Sequence, residues 1–146
     1  MRYGQGGRNV MKSKNKSMLA LAVTYLGIWA FSLIVFWCFI SGSDAMGYAL
    51  LFLIVLLPVT TFVTSFRIGK QNYGGKWKWS FAIAFGIMYM LADYMTFSMA
   101  NMLTVHRVNF PALGMIPAGA VISLVGMGLG VGIRYMEKKK KNSTLI

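Results

Sequence analysis

Four long apolar runs, Met18 to Ile40, Ala45 to Phe66, Trp79 to about Met102 and Phe110 to Tyr135, alternate with short polar connections along the chain. Each is long enough to cross about 30 Å of hydrocarbon at about 1.5 Å per residue. The pattern predicts an all-α fold, a transmembrane four-helix bundle with spans 18–40, 45–66, 79–102 and 110–135 inside one domain of residues 18–135. A basic segment, 1–17, precedes it and a basic tail, 136–146, follows it. The first run exceeds the apolar part of a cleaved signal peptide, so it reads as a retained helix. Met11, followed by Lys12-Ser13-Lys14, is a second candidate start beside Met1.

Breakers inside the runs predict local geometry. The turn Ser41-Gly42-Ser43-Asp44 is short enough to force the first two helices into an antiparallel hairpin. Pro58 cannot donate to the carbonyl of Ile54 and predicts a kink, with Thr60, Thr61 and Thr64 near enough to compensate. Pro117 predicts a second kink that frees the carbonyl of Leu113.

Charge changes the picture from "helical" to "oriented". A net charge of +12 on a soluble chain would point to nucleic acid. Here the 15 basic residues fall five before the first run, four from Arg67 to Lys78, one at Arg107 and five from Arg134 onward. This excess on alternate sides predicts both termini in the cytoplasm and a multi-pass protein of the plasma membrane, with no nucleic-acid partner. Trp77, Trp79 and Tyr135 are expected at the inner interface, and Trp37 and Tyr48 near the outer one. Lys138, Lys139, Lys140 and Lys141 would attract anionic lipid headgroups.

One acid lies deep inside a span. Asp93 is fourteen residues beyond Trp79, about 21 Å along the helix axis. An ionised carboxylate near the hydrocarbon centre costs roughly 2.5–3.5 kcal/mol on insertion scales, so Asp93 must face protein or water, or carry a proton. Its helical face is small and polar, with Ala82, Gly86, Tyr89, Thr96 and Ala100, whereas Phe81, Met88, Met95, Met99 and Met102 form an opposite stripe suited to lipid. Ser32 of the first span falls at similar depth, and Arg107 in the third connection could fold back as a counter-charge. Asp93, Tyr89, Thr96, Ser32 and Arg107 are therefore the candidate intramembrane polar site. Its structural use would be to fix register through Tyr89, Ser32, Arg107 or a freed carbonyl. Its functional use would be to take up and release a proton or cation.

The last span carries a packing signal. Ala112, Gly119, Ser123, Gly126 and Gly130 recur along one seam, and Gly126 with Gly130 and Gly128 with Gly132 form small-xxx-small pairs. Packing within the chain is the favoured use of the seam, and a homodimer or a larger membrane complex the other.

Motifs for chemistry are sparse. Cys38 and His106, one of each, supply neither an intrachain disulfide nor a zinc site of the usual kind. Ser98 lies far around the helix from Asp93, so no catalytic triad forms. No glycine-rich phosphate loop follows a strand, and no cofactor or enzymatic activity is expected.

Leu57-Pro58-Val59-Thr60-Thr61-Phe62, Gly75-Lys76-Trp77-Lys78-Trp79 and Tyr89-Met90-Leu91-Ala92-Asp93-Tyr94 resemble stretches of small uncharacterised four-span membrane proteins of Gram-positive bacteria. The resemblance implies a bacterial plasma membrane and no particular mechanism. Small multidrug exporters also have four spans, but their pattern needs a buried Glu in the first, where this chain has no acid. The expected function is a non-enzymatic accessory or interaction subunit of the membrane. The alternative is a small dimeric transporter or ion-coupled carrier using Asp93.

Overall fold

The computed structural model describes residues 3–40 and 44–144. Among them there is no strand, and four helices are long and apolar enough to cross a membrane. These are α1 (Tyr3–Phe39), α2 (Ala45–Gln71), α3 (Gly75–Val105) and α4 (Met115–Thr144). The chain is thus an all-α multi-pass membrane protein. Met1 and residues 41–43 of the first turn lie outside the described residues.

The helix ends follow local chemistry. At one end of the bundle α1 and α4 run on through the basic segments, because lysine is a good helix former once outside the bilayer. α2 stops at Asn72, which takes the left-handed conformation (φ 55°) and gives its N–H to the Gly69 carbonyl while Tyr73 N–H reaches Ile68. Gly74 (φ 75°) continues the turn into a single tight turn, Gly75–Trp79, that opens α3.

α4 begins at Met115 rather than at 110. Pro111 and Gly114 delay it, and the N–H groups of Met115 and Ile116 close a turn onto the carbonyls of Ala112 (2.9 Å) and Leu113 (3.1 Å). Pro117 is therefore in the first helical turn, where no intrahelical N–H partner is needed. It makes no kink in mid-span, and the Leu113 carbonyl is occupied rather than free.

Directions follow from paired residues. Tyr25 shares a hydrogen bond with Thr61, and Tyr48 donates to the Ser32 carbonyl, so α1 and α2 are antiparallel. Trp29 donates to the Met88 carbonyl and Trp37 to that of Met95, so α1 and α3 are parallel. α4 runs parallel to α2 and antiparallel to α3, and it forms the tightest seam. Gly119, Ser123, Gly126 and Gly130 are all buried on it. A Cβ at Gly126 would stand 2.7 Å from the Phe62 carbonyl oxygen, one at Gly119 would stand 2.9 Å from Tyr89 Cβ, and one at Gly130 would collide with the Phe66 backbone. Backbones approach because those side chains are absent. Ser65 and Ser123 share a 2.7 Å hydrogen bond at the middle of this seam. Lys70 and Glu137 close its basic end with a 2.8 Å ion pair.

Two expectations about aromatic and apolar faces change. Tyr48 is only 2% exposed, inside the bundle against Phe36 and Phe52, because its hydroxyl has a carbonyl to bind there. The α3 stripe opposite Asp93 is not all lipid-facing. Phe81 and Met88 pack with Tyr25 and Phe85 beneath α1, since α3 lies between α1 on one side and α4 on the other.

Candidate functional site

Two segments of the bundle wind more loosely than an α-helix. Ala49–Leu56 of α2 and Tyr94–Ser98 of α3 use hydrogen bonds from residue i+5 to residue i. In the first, Leu57 N–H is turned to the Phe52 carbonyl, and Pro58 next along has no hydrogen to give. This leaves the Leu53 carbonyl without a donor from its own turn, and the Tyr89 hydroxyl donates to it at 2.9 Å. In the second, Met99 N–H is shared between the Thr96 and Tyr94 carbonyls and skips Met95, and Trp37 Nε1 donates to the Met95 carbonyl at 3.1 Å. Each return from loose to α winding leaves a carbonyl short of a donor, and each is met by an aromatic donor from another helix. Pro58 is the one sequence signal of this arrangement. Its missing N–H bears on two carbonyls, that of Ile54 by α counting and that of Leu53 by the looser counting, and of the expected threonines Thr60 bonds its own helix at Leu56 while Thr61 bonds Tyr25.

Both loose segments border one cleft. It has a volume of about 300 Å³ and is walled by Ala49, Leu53 and Ile54 of α2, Tyr89, Asp93 and Phe97 of α3, and Met115 at the start of α4. Tyr89, Asp93 and Phe97 follow one another at intervals of four, so they stand in a row on one helix face. Asp93 is half-buried, and among the described residues no side chain donates to its carboxylate. Of the six buried serine and threonine hydroxyls among the described residues, five, those of Ser32, Thr61, Ser65, Thr96 and Ser123, have a partner within the protein.

The five residues expected to form one polar site are not brought together. Tyr89 shares the cleft with Asp93, but its hydroxyl is committed to Leu53. Thr96 is fully buried and donates to Ala92 and Asp93 backbone carbonyls of its own helix. Ser32 donates to Trp29 on α1 and receives Tyr48 at its carbonyl, away from the cleft. Arg107 is exposed in the α3–α4 connection and makes no ion pair among the described residues. The residues that complete the Asp93 cleft, Phe97, Leu53 and Met115, carry no polar signal and were not legible as site residues.

The chemistry available is narrow. One carboxylate and one committed phenol cannot replace the six to eight oxygens of a calcium-like coordination shell. A proton, or a single positive charge on an apolar body lying against Phe97 and Tyr89, satisfies both the acid and the lining. Compared with protein-family models, with curated proteins and with solved structures, the chain matches none.

Proposed function

We propose that this small multi-pass protein is a non-enzymatic carrier of the plasma membrane, with both termini in the cytoplasm, and that Asp93 is the group at which a proton and a lipophilic organic monocation exchange. The observation that carries this reading is a carboxylate without a donor among the described residues, in an apolar, aromatic-lined cleft within the membrane-spanning part. An acid kept in that setting costs stability unless something it binds compensates. The test is binding of tetraphenylphosphonium to the full-length protein in nanodiscs, beside Asp93→Asn. Binding by the native protein and its loss in a correctly inserted variant is the expected result. Equal binding by both refutes the assignment.

A second reading, the accessory or interaction subunit, is favoured by the outer face of α4. Gly128 and Gly132 are four residues apart there, with no atom within 4 Å of a Cβ built on either. A helix of another chain can approach closely at such a pair, giving a homodimer or a larger membrane complex. Affinity purification from native membranes separates the two readings. A stable companion of another sequence that survives Asp93→Asn supports the subunit, a homodimer without one fits both readings, and a lone monomer counts against both.

A further inference from the structure

A second cleft opens at the basic end of the bundle, between α1 and α2. It measures about 260 Å³ and is lined by Ser17, Leu21 and Thr24 of α1, Arg67 and Gln71 of α2, and Tyr73 of the following turn. Its depth is set by α2: Arg67 stands four residues from the helix end at Gln71, about 6 Å along the axis. Exposed Trp77 and Trp79 flank the same end, the level at which such rings meet lipid headgroups. The chain holds three acids. Asp44 is at the opposite end of α2, Asp93 is within α3, and Glu137 is bound to Lys70. Among the described residues the Arg67 guanidinium therefore has no carboxylate partner.

The surrounding groups suit an anion with two oxygens. A guanidinium offers a planar fork that matches phosphate, and a lone lysine does not. The Tyr73 hydroxyl donates to the Gln71 side chain, and the Gln71 amide brings an NH₂ donor to the cleft. Ser17 adds a hydroxyl at the facing rim. Toward the bilayer centre the character changes at once. Val63 and Val59, one and two turns from Arg67 on the same face of α2, are both exposed and apolar.

We propose that this cleft is a binding site for the phosphate of an anionic phospholipid, with Arg67 as its anchor and an acyl chain lying along Val63 and Val59. The site is separate from the lysine tail and does not depend on the reading of Asp93. The polar head and the apolar run below it together select a lipid over free phosphate, which shares only the head chemistry.

Native mass spectrometry of the full-length protein, released from vesicles of equal phosphatidylglycerol and phosphatidylcholine, reads the ratio of the two lipids retained. The native protein is expected to retain phosphatidylglycerol preferentially. Arg67→Gln should reduce that preference about fivefold, the effect of one well-placed basic group at a membrane surface. Arg67→Lys should fall between the two, and replacing Lys138 to Lys141 together with glutamine should leave the preference in place. Arg67 is exposed, so its replacement removes no core contact. An unchanged ratio in Arg67→Gln overturns the site, as does loss of the preference in the tail variant alone. Excess inorganic phosphate is expected not to displace the lipid, and displacement would assign the cleft to free phosphate instead.

Discussion

The two sides of the α2–α3 pair are joined to their neighbours by opposite means. On the α4 side, contact is made by what is missing: Gly119, Gly126 and Gly130 let backbone meet backbone, with a serine pair at the centre. On the α1 side, contact is made by large aromatics reaching across, with Tyr25, Trp29 and Trp37 each holding a polar group of α2 or α3. Along the glycines the first kind leaves no space, and the Asp93 cleft opens only beyond them, at the Met115 end of α4. The second leaves an apolar cavity of about 190 Å³ beneath Tyr25 and Leu26, and the polar cleft at Arg67. In lipid there is no hydrophobic force to press helices together, so shape and hydrogen bonding must do so, and this protein uses one on each side.

The contrast is most easily broken at Gly130. Gly130→Leu forces a side chain into the Phe66 backbone, and overpacking of that kind should cost about 3 kcal/mol or more, read as loss of folded protein in a steric-trapping or detergent unfolding titration. A stable variant would mean that α4 is not held by close approach. Trp29→Phe attacks the other side by removing the donor to Met88. It should cost about 1 kcal/mol, with faster hydrogen exchange in α1 and little change in α4. Exchange that rises equally in both helices would show that the two attachments are one cooperative unit.

Smaller effects sharpen the same comparison. A double-mutant cycle of Ser65→Ala and Ser123→Ala should give a coupling of about 0.6 kcal/mol, typical of interhelical hydrogen bonds in membranes, which makes the serine pair a minor partner to the glycines around it. Gly128→Leu, on the outer face of α4, should change unfolding by less than about 0.5 kcal/mol, since a side chain there meets open space. A large loss at Gly128 would place another protein surface against it.

The sequence carried the parts of the fold that repeat. Apolar runs long enough to span, and small residues at helical spacing in α4, are periodic and survive translation into structure as spans and a seam. Single-residue decisions were less legible. Pro117 reads as a mid-span kink until Pro111 and Gly114 are seen to delay the helix start to Met115. Tyr48 reads as an interface residue because no pattern tells that the Ser32 carbonyl is within reach. At the candidate site, Asp93 stands out because charge in a span is rare, and Tyr89 follows from its spacing. Phe97, Leu53 and Met115 do not stand out, because lining an apolar cleft asks of them only what facing lipid would ask.

The loose windings have a consequence for chain length. Each holds more backbone than regular α winding needs over the same rise, so loss of one residue between 49 and 56 would let α2 rewind as an ordinary helix without shortening its reach across the bilayer. The flanking residues would keep nearly their present angle, because the loose winding already absorbs about one residue's worth of rotation. Within the stretch, Leu57 N–H would return from the Phe52 carbonyl to that of Leu53, and Tyr89 would lose its claim on the acceptor it now holds. A one-residue deletion here therefore spares the membrane span and alters the wall of the Asp93 cleft, so length in this stretch is constrained by the cleft rather than by the membrane.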